Sequence, residues 1–463
     1  MIPNAVNKVL EDLKDIQGSA FDDVDLPIEV TRTEVIENQR IRMLLMHDVL
    51  GRIQVIFPEN CMLEVDALNS KTGRALTSLS ENDVEALRNH YSLTVLPALP
   101  DIIGLPTYVD ERVLKMSQVY LESGQTNSFI QIGAPPLKKL LGKISVGEFA
   151  TPIRQINVNQ LQPSQDLAQI NEAIQKFTYL RIKQRLEDTL EIPPLPQTAQ
   201  RIIHLRVNPD AGVTELADIV EADPSLSAQV VSWASSSFYA APGKIKSVHD
   251  AIVRVLGFDL VMNLSMGLSL GKTLTLPKEQ PVGFTPYWQQ SIWLATATGA
   301  LINTIPRSSR PSFGLAYLSG LLHNFGYLVL AHVFPPHFSL ICRYIEANPH
   351  LDTAYIEHFL LGITREQIGS TLMSVWNMPD EVIMALRHQK NPDYNGPNHE
   401  FANLIYVARN LLSANGLPLG PAQEIPDDLF ARLNLDREKA EDIMKELIEN
   451  QDDILKMAGL MGG

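Results

Sequence analysis

Seven of the eleven histidines lie beyond residue 320: His323, His332, His337, His350, His358, His388 and His399. Imidazole can hold a metal ion or move a proton near neutral pH. None of the seven forms a His-x-x-x-His pair with a Glu between, the spacing that puts two ligands and a base on one helical face. His323 stands apart. It ends an apolar run within "GLLHNFGYLVLAH" (Gly320–His332), is followed by a small turn residue and precedes Gly326. A carboxylate after the imidazole would give a divalent cation two suitable donors. The next residue is the neutral Asn324, so the turn has the shape of a metal site without its charge.

Two other patterns carry less chemistry. "GLSLGKT" at Gly267–Thr273 approaches a phosphate-cradling loop, but three residues separate its first Gly from the Gly-Lys pair instead of four. It also continues a helical pattern and does not follow a strand, so it reads as small residues at a helix contact. The two cysteines, Cys61 and Cys342, are far apart in sequence and outside any Cys-x-x-Cys. They fit reduced thiols and neither a disulfide framework nor a cysteine zinc site.

Composition narrows the class. The chain has 463 residues, 45% hydrophobic and 20% charged, as in a globular protein of several domains. A net charge of −15 and no concentrated Lys/Arg stretch count against a nucleic-acid footprint. "MIPNAVNKVLEDLKD" lacks the apolar core of a signal peptide, and no run of about 18 apolar residues suggests a membrane span. A cytoplasmic location and no membrane partner are expected.

The elements that would position these residues divide the chain. Residues 1–150 read as mixed α/β. Val6, Val9, Leu10 and Leu13 share a helical face, and "IRMLLMHDVLGRIQVIFP" gives two strands around a turn at Asp48–Gly51. Ser80 and Asp83 suggest a capping box. "TVLPALPDIIGLPTYVD" is strand-like but broken by prolines, which predicts edges and loops; "TNSFIQIG" is another strand. Residues 151–192 form a polar connection and a long helix, stopped by "EIPPLP". From 193 to about 415 the pattern is helical throughout. Thr214 and Asp223 are expected caps, the latter with Pro224 at the first helical position. Ser247 and Asp250 suggest a capping box, with Gly257 closing that helix. Further helices are expected at about 287–304, 312–331, 335–347, 352–361, 364–376, 379–388 and 398–414. The tail, 416–463, is acidic and amphipathic, with Ile443, Leu447, Ile454 and Met457 on the side that should pack on its own domain. "MGG" should be loose.

"IPPLPQTAQRIIHLRVNPDAGVTELADIVEADPSLSAQVVSWASSSFYAAPGKIKSVHDAIVRVLG" resembles the opening of an HDOD domain, the HD-related output domain. "YWQQSIWLATATGAL", "AYLSGLLHNFGYLVLAH" and "EHFLLGITREQIGSTLMSVWNMPDEVIMALRHQKNP" continue the likeness in order, so that it covers about residues 190–400. The resemblance implies an all-α domain of the HD superfamily, whose wider members include metal-dependent phosphohydrolases. Their site takes a His early in the "WQQS" helix, the His-Asp pair and later His or Asp ligands. This chain has Gln290, then His323 with Asn324, then Arg365, and keeps His388. With the carboxylate gone and a fixed cation added, no metal or other cofactor is expected. HDOD domains as a group are regarded as signalling modules without established catalysis, so the resemblance implies a bacterial regulatory role.

"RIRMLLMHDVLGRIQVIFP" and "GLPTYVDERVLKMSQVYLESGQTNSFIQIGAPPLKKLL" resemble the aminoacyl-tRNA deacylase (prolyl-tRNA-editing-like) fold over residues 1–150. The family's catalytic Lys falls near Arg42, and its glycine-rich loop is replaced by "LPALPDIIG". Arg42 keeps its charge and cannot be tuned as a Lys can. It reads equally as a plain surface residue at a strand end.

The combined expectation is a deacylase-like α/β domain (1–150), a connection (151–192), an HDOD domain (193–415) and a tail (416–463). It would signal without catalysis, by binding a regulatory protein or a small signalling ligand, and could do so as a homodimer. One alternative is a metallophosphohydrolase acting on a nucleotide or cyclic dinucleotide, with Glu357 or Asp380 joining His323 and His388. Another is a tRNA-editing or tRNA-binding protein.

Overall fold

The computed structural model describes residues 2–14, 27–182, 194–236, 239 and 243–459. The proline stop at 191–193 and the end of the tail, 460–463, lie outside them. The chain divides into an α/β unit, Met1–Asn157 with Pro281–Gly283 and Leu340–Ile356, and a helical unit, Val158–Gln280, Phe284–Ser339 and Glu357–Gly463. A mixed α/β region followed by a helical one is the architecture the sequence implied.

In the α/β unit, strands β1 (Ile28–Thr31), β2 (Ile41–Asp48), β3 (Gly51–Pro58), β4 (Cys61–Leu63), β5 (Thr77–Ser78), β6 (Thr107–Asp110), β7 (Gln118–Glu122), β8 (Ser128–Gly133), β9 (Ile144–Gly147) and β10 (Ala150–Pro152) are joined by helices α1 (Asn4–Lys14), α2 (Val65–Thr72), α3 (Glu81–Tyr91), α4 (Pro100–Ile103), α5 (Glu111–Leu114) and α6 (Ala134–Leu141). The strands form sheets ordered β5-β2-β3-β6-β9, β1-β8-β7 and β10-β4. The β2–β3 hairpin turns where expected, Asp48 opposite Gly51. Arg74 fastens the turn by donating to Asp48 and to the Gly51 carbonyl. Ser80 caps α3 by accepting from the Asp83 amide at 3.2 Å.

The proline-rich stretch departs from expectation. Pro100 starts α4, and β6 is an interior strand, parallel to both β3 and β9. The prolines precede its ladder and so remove none of its hydrogen bonds. Ile41, Ile56, Val109, Val119, Ile130, Leu137 and the α1 residues Val6 and Leu10 share one core. Each such side chain contributes about 1.5–3 kcal/mol by leaving water.

The helices continue as α7 (Asp166–Ile182), α8 (Gln197–Arg206), α9 (Val213–Glu221), α10 (Pro224–Ala234), α11 (Val248–Ala251), α12 (Phe258–Gly271), α13 (Tyr287–Thr304), α14 (Phe313–Leu322), α15 (Phe325–Val333), α16 (Pro335–Ala347), α17 (Thr353–Leu361), α18 (Arg365–Val375), α19 (Asp380–His388), α20 (His399–Ala414), α21 (Asp427–Arg432), α22 (Arg437–Glu449) and α23 (Gln451–Gly459). Asp223 caps α10 by accepting from the Ser225 and Leu226 amides at 3.0 and 3.1 Å. Thr214 does not cap α9, which begins one residue earlier with Gly212 before it. Ser247 caps α11, but residues Ile252–Leu256 widen into a π-helical turn before Gly257, whose φ of 79° is paired with an extended ψ. "GLSLGKT" ends α12, where Gly267 meets Leu321 and Gly271 meets the Trp288 ring.

Residues Phe313–Val333 are long and apolar enough to cross a membrane, and 94% of that window is buried inside the protein. They are core helices, and the single helix expected at 312–331 is broken at His323-Asn324. The tail helices bury Leu447, Ile454 and Met457 as expected, with Met444 buried in place of the half-buried Ile443, and pack on α13. α7 is fixed at its start. Arg387 of α19 donates to both carboxylate oxygens of Asp166, and Gln367 of α18 donates to Asp166 at 2.9 Å.

Residues Leu340–Ile356, from the helical half of the sequence, complete the α/β unit. The Asn348 side chain pairs with the Leu63 peptide as a strand would, accepting from its N–H at 2.6 Å and donating to its carbonyl at 3.1 Å.

Candidate functional site

Four of the sequence-derived positions meet, or nearly meet, at the break between α14 and α15. His323 ends one helix, and Asn324, at φ −103° and ψ 15°, starts the next. The crossing that brings α18 here requires glycine. A Cβ on Gly326 would overlap the Arg365 carbonyl, and one on Gly369 would come within 3.0 Å of Gly326. Two helix backbones therefore touch, and Arg365, at the start of α18, lands against Asn324.

A chain of hydrogen bonds follows. Thr285 O accepts from Gln290, whose Oε1 accepts from Asn324 Nδ2 at 3.2 Å. Asn324 Oδ1 in turn accepts from Arg365 Nη1 at 2.8 Å. Arg365 donates through Nε to Glu357 Oε1, and through its backbone N–H to Glu357 Oε2 at 2.8 Å. The guanidinium also lies over the Tyr327 ring, 5.0 Å from its centre, a favourable cation–π contact. Glu357 is fully buried and the Arg365 side chain only 11% exposed. Burial lifts the Glu357 carboxyl above its ordinary range, and Arg365 opposes that lift. Burial also disfavours the Arg365 charge, but Glu357 and Glu366 outweigh it and hold the guanidinium protonated.

The histidines do not join this chain through their rings. His323 Nδ1 faces the Gly320 carbonyl at 2.8 Å, and the Gln389 side chain donates to the His323 carbonyl at 2.7 Å. Burial, with Arg409 and Arg365 nearby, pushes the His323 pKa down to about 3, so the ring is neutral. His388 stacks on Tyr394, ring centres 3.8 Å apart, and burial lowers it to about 4. Its Nδ1 is buried without a hydrogen bond.

This donor set does not fit a divalent cation. Both Glu357 oxygens and the Asn324 oxygen are turned to Arg365 donors. Asp380 is an exposed residue in the first turn of α19. Among the described residues no three His, Cys, Asp or Glu side chains gather closely enough to hold a metal. The sequence identified Gln290, Asn324 and Arg365, but the role of Glu357 was not visible. It lies eight residues before Arg365, and only the turn through Gly362 (φ 81°) and the Thr364 cap folds it back.

In the α/β unit, Arg42 lies on β2 opposite Phe57 of β3. It is half-buried, and its Nε is buried without a hydrogen bond. It is therefore not a plain surface residue. A groove of about 310 Å³ in the same unit is lined by Arg32, Arg40, Val95, Glu122 and Phe129, among others.

Residues 192–392 match the HDOD domain family. A crystal structure of a "Putative signal transduction protein" from Marinobacter aquaeolei VT8 is 48% identical, covers 100% of both chains and superposes with a TM-score of 0.91. The chain carries an HDOD domain. The HDOD domain holds the whole Gln290–Asn324–Arg365–Glu357 arrangement. An uncharacterized protein of Treponema pallidum (strain Nichols) is 24% identical over 219 residues, covering 45% of this chain and 39% of that protein. This HDOD chain thus spans about two fifths of the length of that curated relative. A solved trans-editing protein, described as a putative enzyme for prolyl tRNA synthetase, is 15% identical over 32% of this chain and 98% of its own, at a TM-score of 0.25.

Proposed function

We propose that this HDOD protein is a signal-transduction component that works by binding and not by hydrolysis, with a regulatory protein or a small signalling ligand as its partner. The supporting observation is the Arg365 guanidinium, held by Glu357 and Asn324 at the break between α14 and α15. A metal there would face a fixed positive charge in a poorly screened interior, and would have to take its oxygens from that charge. The arrangement is already neutralised from within the chain. His323 and Asn324 then serve architecture, joining the ends of α14, α15 and α18. The description of the Marinobacter protein as a signal transduction protein agrees with this role. The net charge of −15 supports a partner other than nucleic acid.

The test is direct. Purified full-length protein is incubated with Mn²⁺ and a panel of nucleotides and cyclic dinucleotides, and its metal content is measured without chelator treatment. No turnover and no stoichiometric metal are expected. Metal-dependent hydrolysis by the wild-type protein, or stoichiometric bound metal, would overturn the proposal in favour of a phosphohydrolase.

A further inference from the structure

Strand β9 ends the five-stranded sheet of the α/β unit, and its outer edge is bare. Its residues, Ile144–Gly147, pair with β6 on one side in unbroken parallel register. No backbone group among the described residues bonds to the other side. Such an edge offers a row of N–H and C=O groups that templates another strand unless something blunts it. Other edges are blunted. β5, at the far end of the same sheet, has only Thr77 and Ser78, and Pro27 stands directly before β1. β9 contains no proline and no bulge; Ser145 is exposed and Val146 is 39% exposed.

We propose that β9 pairs antiparallel with β9 of a second copy of this chain, about a two-fold axis at Ser145. A two-fold axis through the sheet pairs only residues of the same face, so the axis falls at Ile144, Ser145 or Val146. With the axis at Ser145, Ile144 of each copy lies opposite Val146 of the other. These two apolar pairs extend the core that Ile144 already borders with Val109 and Leu141. The two Ser145 hydroxyls meet at the axis, a favourable cross-strand pair. Lys143 falls opposite Gly147, where the stem of Lys71 already lies, and beside Glu148. Lys143 and Glu148 are exposed, and neither makes an ion pair among the described residues. The pairing brings them together at both ends. An axis at Val146 would set Ile144 against Glu148, and an axis at Ile144 would set Val146 against Gly142. The edge is therefore complementary to itself in charge and in hydrophobicity in one register. Four residues make a small interface, so the dimer forms as concentration rises. It stands whether or not the HDOD domain turns over a substrate.

The experiment combines mild oxidative cross-linking with sedimentation velocity on the full chain. Ser145→Cys should form a disulfide-linked dimer, because residues at the axis face each other with Cα atoms about 4.5–5.5 Å apart, within disulfide reach. Val146→Cys should not: in this register the two positions are displaced by two residues along the strands, which puts the Cα atoms beyond the limit of about 7 Å. The native Cys61 and Cys342 are buried, and wild-type protein gives the background. Unoxidised wild type should move from monomer toward dimer with concentration. Val146→Lys, a change at an exposed side chain that circular dichroism should show to be folded, should weaken the dimer at least about tenfold by setting a charge against Ile144. Lys143→Glu should weaken it too, and adding Glu148→Lys should restore it. Wild type that is monomeric at every concentration, equal cross-linking of the two cysteine variants, a dimer that survives Val146→Lys, or a charge swap that restores nothing overturns the proposal.

Discussion

Burial makes His323 a proton-linked residue. Its pKa is about 3 in the folded chain, against about 6.5 unfolded. The folded value is the lower one, so the unfolded chain takes up the proton first as pH falls. The stabilisation is complete above about pH 6.5 and is lost progressively toward about pH 3, at about 1.4 kcal/mol per pH unit for one such group. Urea melts at about pH 7.5 and about pH 5 should therefore show a smaller acid loss for His323→Gln than for wild type; equal losses would remove His323 from the account. His388, lowered to about 4, adds to the wild-type loss in the same direction. At this scale the sequence was informative about which positions are special and silent about their partners. Gln290, Asn324 and Arg365 are recognisable as departures from a motif. Nothing near Leu63 in sequence indicates Asn348, whose side chain pairs with the Leu63 peptide only once the intervening chain has folded.

Among the elements, the crossing of α15 and α18 sets the candidate site, and Gly326 sets the crossing. Gly326→Ala would drive a Cβ into the Arg365 carbonyl, which is backbone and cannot rotate away. A loss of about 3 kcal/mol is expected, with displacement of Arg365 from Asn324. Gly362→Ala is the comparison: its φ of 81° is unfavourable for alanine, but nothing lies within 4 Å, so only the backbone cost of about 1–2 kcal/mol applies. Chemical denaturation of the two variants should rank them in that order, and a Gly326 variant as stable as wild type would mean that the helices can separate without penalty. Most helices were legible because their apolar period and caps agree, as at Asp223. The break at His323-Asn324 was not, because the apolar pattern runs through it from Phe313 to Val333 and outweighs the turn preference of Asn324. Likewise β6 was obscured by Pro106, which stands just before the strand and costs it nothing.

For the whole molecule, the proposed homodimer has fewer surfaces available than the amphipathic tail suggested. Met444, Leu447, Ile454 and Met457 already face the interior, so self-association would have to use a surface other than the apolar face of the tail. Light scattering during gel filtration should give twice the chain mass of 51.5 kDa; a clean monomer across the accessible concentrations would remove the dimer.

The packing of α20, α22 and α23 on α13 has a further consequence. The HDOD match ends at residue 392, but the packed helical unit does not. A chain cut there would bare the flank of the helix that carries Gln290 and leave its apolar side chains in water. The stretch that matches the HDOD domain and the stretch that must fold together are different lengths of chain in this protein. A proteolytic fragment that stays soluble should carry the tail, though the tail belongs to no part of the recognisable motif.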